Sequence, residues 1–91
     1  MFKGRFKVTH AGVNSVYGGG AIFVSLQGVD PVTSQQWYQV PVQWESQILA
    51  VALAAIASNF EVDAEVGTKS VAAEVGSSGE PMIYTFNLIA R

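Results

Sequence analysis

The chain has 91 residues, enough for one hydrophobic core and a single domain spanning residues 1–91, and too few for a second. Charged residues make up 13% and hydrophobic residues 49%, the net charge is −2, and cysteine is absent. This balance excludes a field that would gather phosphate backbones or an anionic membrane, a disulfide framework, and a thiolate metal site.

The charged fraction is about half of the roughly 25% usual for a soluble domain, and mean hydropathy is +0.29. A small domain has much surface for its volume, so this shortage points to cover by another subunit. The segment MFKGRFKVTH lacks the apolar stretch of a signal peptide, which with the missing cysteines makes a cytoplasmic location the expectation. A processed chain restarted at an added methionine would read the same. The longest apolar run, residues 48–57, is about half of the ~20 residues a membrane span requires, so no membrane association is expected.

Residues 2–9 alternate, with Phe2, Gly4, Phe6 and Val8 on one face and Lys3, Arg5, Lys7 and Thr9 on the other, which predicts a half-buried strand. Residues 10–20 contain Gly12, Asn14 and Gly18-Gly19-Gly20, and read either as a loop or as a strand extension bent by glycines. A second strand, 21–27, sets Ile22, Val24 and Leu26 against Ala21, Phe23, Ser25 and Gln27, and Asp30-Pro31 with Thr33-Ser34 forms a polar turn. In a third strand, 35–42, Tyr38, Val40 and Val42 oppose Trp37 and Gln39, while Pro41 ends the hydrogen bonding or marks an edge.

The period then becomes helical over residues 43–58, with Glu45 in the first turn, where the helix dipole favours a negative charge, and Asn59 as a left-handed stop. Ile48, Leu49, Ala52, Leu53 and Ile56 form the stripe of larger side chains. Ala50, Val51, Ala54, Ala55 and Ala57 fill the remaining positions, so no side of residues 48–57 is polar. A chain this short covers only one side of such a helix with its own sheet. A subunit contact is therefore expected at Ala50, Val51, Ala54 and Ala57, where small side chains let a second helix approach. The competing reading is that alanine is simply a strong helix former that tolerates water.

After the helix, Phe60, Val62, Ala64 and Val66 alternate with Glu61, Asp63 and Glu65, a strand with one acidic face. Its spacing matches the basic face of Lys3, Arg5 and Lys7, which predicts that the first and fourth strands are neighbours joined by cross-strand charge pairs. Residues 67–81 form an exposed connection in which Val71, Ala73 and Val75 suggest a hairpin extension. Residues 82–90 read as a last strand, with Tyr84, Phe86 and Leu88 on one face, Ile83 and Ile89 on the other, and both faces largely buried.

The order β-β-β-α-β-β, mainly β with one helix, resembles the oligonucleotide/oligosaccharide-binding (OB) fold, a small Greek-key barrel whose helix joins the third and fourth strands. The resemblance covers nearly the whole chain and rests on element order. The run QILAVALAAIASNFEVDAEV also resembles the helix-to-fourth-strand passage of ring-forming toxin B-subunits, whose helices line a central hole. Those subunits are secreted and usually hold a disulfide, for which this chain has no cysteine. An α+β sheet with one helix packed on its face is the alternative architecture.

Chemistry-bearing residues are few. His10 is the only histidine and has no nucleophile at an identifiable spacing, so no catalytic residue is assigned and an enzyme is not expected. No metal-ligand spacing occurs and no cofactor is implied. Glu61, Asp63 and Glu65 read as a solvated, salt-bridged face. Gly67-Thr68-Lys69-Ser70 lacks the rest of a phosphate-binding loop, and it and Gly18-Gly19-Gly20 read as turns. Tyr17, Trp37, Tyr38 and Trp44 remain as side chains that could stack on bases or sugars, or instead anchor an interface or core. The expected function is a non-enzymatic structural or interaction module acting as a homo-oligomer through its Ala-rich helix. The alternative is an OB-type module for single-stranded nucleic acid or glycan, with nucleic acid disfavoured because no basic groove accompanies the aromatics.

Overall fold

The computed structural model describes residues 1–14 and 21–89. Its elements are β1 (Phe2–Asn14), β2 (Ala21–Asp30), β3 (Gln36–Gln39), α1 (Glu45–Ser58), β4 (Glu61–Val66) and β5 (Ile83–Ile89), with 3-10 turns at Val42–Trp44 and Ala72–Glu74. The molecule is thus mainly β with one helix, in the expected order. All five strands join one antiparallel sheet ordered β3-β2-β1-β4-β5.

Several boundaries move for local reasons. Past Thr9 the apolar positions change phase, to Ala11 and Val13, and β1 runs on through Gly12 to Asn14 with a register shift between Val8 and His10 in its pairing with β2. Pro41 has no N–H to give a ladder, and β3 stops at Gln39. Trp44 N–H instead donates to Pro41 O at 3.0 Å, closing a 3-10 turn where the helix was expected to begin, and α1 starts at Glu45. At its other end Asn59 takes a left-handed conformation (φ 55°, ψ 37°), its N–H donating to the carbonyls of Ala55 and Ile56.

The inward faces of all five strands meet α1 in a single core that includes Phe6, Val24, Leu26, Tyr38, Val62 and Ile83. The helix presents Ile48, Ala52 and Ala55 to this core, with Ala52 0% exposed. This corrects the expected stripe. Leu53 and Ile56, grouped by size with Ile48, are 51% and 41% exposed, because they lie around the helix from the face that Ile48, Ala52 and Ala55 turn to the sheet.

The sheet curls until its two ends touch. Gln39 of β3 and Met82, just before β5, form a parallel bridge, and Gln39 N–H donates to Pro81 O at 2.9 Å. The connection from β4 to β5 is tied down at this seam. Met82 N–H donates to Glu74 O at 2.9 Å and Gly67 N–H to Met82 O at 2.7 Å, while Gln39 Oε1 accepts from Ser78 Oγ at 2.6 Å. A Cβ at Gly76 would strike the Gln39 side-chain amide, so a side chain there would push the two apart. Glu74 accepts from the Met1 ammonium at 2.9 Å and from Thr68 N–H at 2.8 Å, and these bonds hold its carboxyl below the ordinary range.

The last strand departs from expectation. Of β5 only Ile83 is buried, and Tyr84, Thr85, Asn87 and Leu88 are exposed. The reason is topological: β5 ends the sheet and pairs along its length with β4 alone, so half of its surroundings are missing.

Candidate functional site

Two surfaces can carry function: the outward side of α1, and the exposed aromatics near β3. On α1, Ala50, Ala54 and Ala57 are exposed together with Leu53 and Ile56. Val51 is not part of this surface. It lies one turn before the buried Ala55 and packs, half-buried, against the core, which removes it from the expected contact set. Ala50, Leu53, Ala54 and Ala57 stand at i, i+3, i+4 and i+7, the diamond of four positions that receives a side chain from a facing helix. No charged residue occurs from 46 to 58.

The outward face of β1 and β4 is built in the opposite way. Lys3 stands opposite Glu65, Arg5 opposite Asp63, and Lys7 opposite Glu61. One ion pair across these strands is diagonal, Arg5 Nε to Glu61 Oε1 at 3.7 Å. The register therefore sets every cation of the stripe beside an acid, and the stripe offers no isolated basic track to a phosphate backbone.

The four aromatic positions are not brought together. Tyr17 lies outside the described residues. Tyr38 points inward and belongs to the core, where burial pushes its phenol above the ordinary value, so it cannot serve as an open stacking platform. Trp37, 42% exposed, sits on the outward face of β3 opposite Ser25. Its ring lies 5.7 Å from that of His10, centroid to centroid, at 35°. This pairing was hidden in the sequence, because the register shift after Val8 decides that His10 also stands opposite Ser25.

His10 has polar company of its own. Its Nδ1 is 3.2 Å from Thr9 Oγ1, which in turn lies 2.9 Å from Ser25 Oγ and donates to Ser25 O at 3.1 Å. The row His10, Thr9, Ser25 looks at first like a base beside a nucleophile. Ser25 is fully buried, however, so no substrate atom could reach its hydroxyl, and the row orders the β1–β2 ladder around the register shift.

Trp44, 54% exposed, follows the 3-10 turn and lines an open groove of about 540 Å³ with Pro41, Val42, Met82 and Tyr84. This groove follows the seam between the sheet ends, and the sequence pattern does not show it, because Met82 and Tyr84 read as part of a buried strand. A second open groove, of about 590 Å³, runs between Phe2, Gln36 and Tyr38 on one side and Thr68 and Lys69 on the other. Lys69 Nζ already lies 3.7 Å from Glu80 Oε1.

Among the described residues no group of three or more His, Cys, Asp or Glu side chains is placed to hold a metal ion. Among them also, no helix is long and apolar enough to cross a membrane. No protein-family model, no curated protein and no solved structure matches the chain.

Proposed function

We propose that this chain is a non-enzymatic interaction module that acts as a homo-oligomer through the outward side of α1. One observation carries the reading: Ala50, Leu53, Ala54, Ile56 and Ala57 face solvent on a helix that has no charge between residues 46 and 58. A second copy of the chain is the occupant this surface fits best. The surface has no charge to be matched by a different partner, and its diamond of three alanines and Leu53 is both hole and knob, so two copies related by a two-fold axis fill each other. Burying the exposed half of Leu53 alone is worth about 1 kcal/mol per copy.

Light scattering on the wild type and on Ala54→Glu, each at two concentrations, tests the reading. The expected wild-type mass is a multiple of 9.7 kDa, and the variant is smaller at unchanged helix content. Equal masses for the two proteins overturn it.

A second reading is supported by the closure at Gln39 and Met82. With β1 between β2 and β4, the helix after β3, and a parallel contact between β3 and the start of β5, the strand order agrees with an OB barrel. In this reading Trp37, on the outward face and beside His10, stacks on a base or a sugar ring. Tryptophan emission that shifts on titration with single-stranded oligonucleotides or glycans, and no longer shifts in Trp37→Ala, is the expected result. Unchanged emission with both ligand classes removes this reading.

A further inference from the structure

Beyond the seam at Met82, the outer edge of β5 carries chemistry that the helix surface does not absorb. A terminal strand exposes unpaired N–H and C=O groups, and monomeric proteins protect such edges with lysine, proline, short strands or bulges. The edge at β3 is four residues long. The edge at β5 is seven residues, IYTFNLI, without a charge or a proline, and its one register shift lies at its start, beside Val66. Leu88 is 39% exposed although Val62, opposite it on β4, is 0% exposed, so the apolar layer continues beyond the last strand of the chain.

The order of side chains along β5 names the occupant. Taken outward from Phe86, the strand reads alike in both directions: Thr85 matches Asn87, Tyr84 matches Leu88, and Ile83 matches Ile89. An antiparallel partner with the same sequence, centred on Phe86, therefore places Thr85 opposite Asn87 on the outward face and Phe86 opposite Phe86 on the inward one, with no like charges facing. The register shift beside Val66 takes Tyr84 and Ile83 out of phase with Leu88 and Ile89. We propose that β5 pairs with β5 of a second copy of this chain about a two-fold axis at Phe86, joining the two sheets into one. This contact does not rest on the reading of α1. With both contacts in use, each chain has two self-complementary surfaces and assembly continues beyond a dimer.

A charge exchange tests the pairing in the Ala54→Glu background, which removes the helix contact. Light scattering of that protein is expected to give twice 9.7 kDa. Adding Thr85→Lys with Asn87→Lys sets lysine against lysine across the axis and is expected to halve the mass. Adding Thr85→Lys with Asn87→Glu sets lysine against glutamate at the same positions and is expected to restore the dimer. Within one chain the two positions stand opposite Glu65 and Asp63. Both charge variants lose the bond that Thr85 Oγ1 accepts from Glu65 N–H at 2.9 Å, and Asn87→Glu faces Asp63. Within-chain effects therefore favour the double-lysine protein, and a dimer restored by the lysine–glutamate pair reports contact between chains. In a separate protein, Phe86→Cys gives a chain with a single thiol, and oxidation is expected to yield a disulfide-linked dimer. A monomeric parent, a double-lysine protein that keeps the dimer mass, failure of the lysine–glutamate pair to restore it, or absence of the disulfide dimer overturns the proposal. Equal masses for wild type and Ala54→Glu, with the charge exchange behaving as described, overturn the helix contact and leave this one standing.

Discussion

The two sides of α1 are made of nearly the same residues and occupy opposite environments. Ile48, Ala52 and Ala55 are sealed against the sheet, whereas Ala50, Leu53, Ala54 and Ala57 face solvent. Hydropathy does not separate the two sides, since the larger Leu53 lies outside and the smaller Ala52 inside. Size does not separate them either, since Ile48 lies inside and Ala54 outside; position around the helix does, because Ile48, Ala52 and Ala55 recur at i, i+4 and i+7 on the face turned to the sheet.

The strongest way to break this contrast is to place the same charge on each side. Ala52→Glu buries a carboxylate among Phe6, Val62 and other apolar side chains of the core, and is expected to cost on the order of 3–5 kcal/mol, a large part of the stability of a domain this small. Ala54→Glu, two residues away, is expected to change the stability of the isolated chain by no more than about 0.5 kcal/mol. Urea unfolding of both variants at a concentration low enough to dissociate the wild type reads the difference. Similar midpoints would mean that the helix is not seated as described.

A size scan asks the same question with a smaller effect. Ala55→Leu inserts three carbons where the helix touches the sheet, and overpacking of this kind costs about 1–3 kcal/mol. Ala57→Leu adds the same volume to the exposed side and is expected to leave the monomer within about 0.5 kcal/mol of wild type. A seated helix gives a lowered urea midpoint for the first variant only.

The reasons for what was legible in the sequence follow from these contrasts. Element order and the β1–β4 neighbourhood can be read because period-two patterns and matched charges are local, and each strand shows its own half of the pair. The side of α1 that meets the sheet cannot, because Ala52 and Ala54 are chemically identical and only the rotation of the helix against the sheet tells them apart. The seam at Gln39 and Met82 is a contact between distant residues made by backbone groups, which leave no trace in side-chain pattern. The His10–Trp37 contact depends on a one-residue slip in register. Exposure of β5 depends on its being last in the sheet, a property of topology that the apolar run MIYTFNLI conceals. For the candidate site, the alanine positions are legible in the sequence, while Leu53 and Ile56, which give that surface its bulk, read by size as part of the Ile48 stripe.

Alanine's helix propensity offers a rival explanation for the outward side, and Ala54→Gly separates the two. Glycine keeps the surface small but lowers helix propensity by about 1 kcal/mol, whereas glutamate nearly preserves propensity and blocks close approach. If the side is a contact, the glycine variant keeps the wild-type mass with a lowered thermal midpoint, and the glutamate variant loses mass with a midpoint near that of the dissociated wild type. If alanine is there for propensity alone, neither variant changes the mass.

The smallest expected effect belongs to the face that this chain does build for water. On the outward side of β1 and β4, Arg5 is half exposed and its 3.7 Å contact with Glu61 is one pair in a ladder of alternating charges. Arg5→Ala is expected to lower stability by about 0.2–1 kcal/mol, less as salt rises toward molar concentrations, and to leave the mass unchanged. A fall in mass would mean that a partner also covers this face, which would cost α1 its standing as the surface that differs. An unchanged mass with a salt-sensitive loss of stability makes the β1–β4 face the internal reference for a solvated surface: charged at every outward position, as the outward side of α1 is at none.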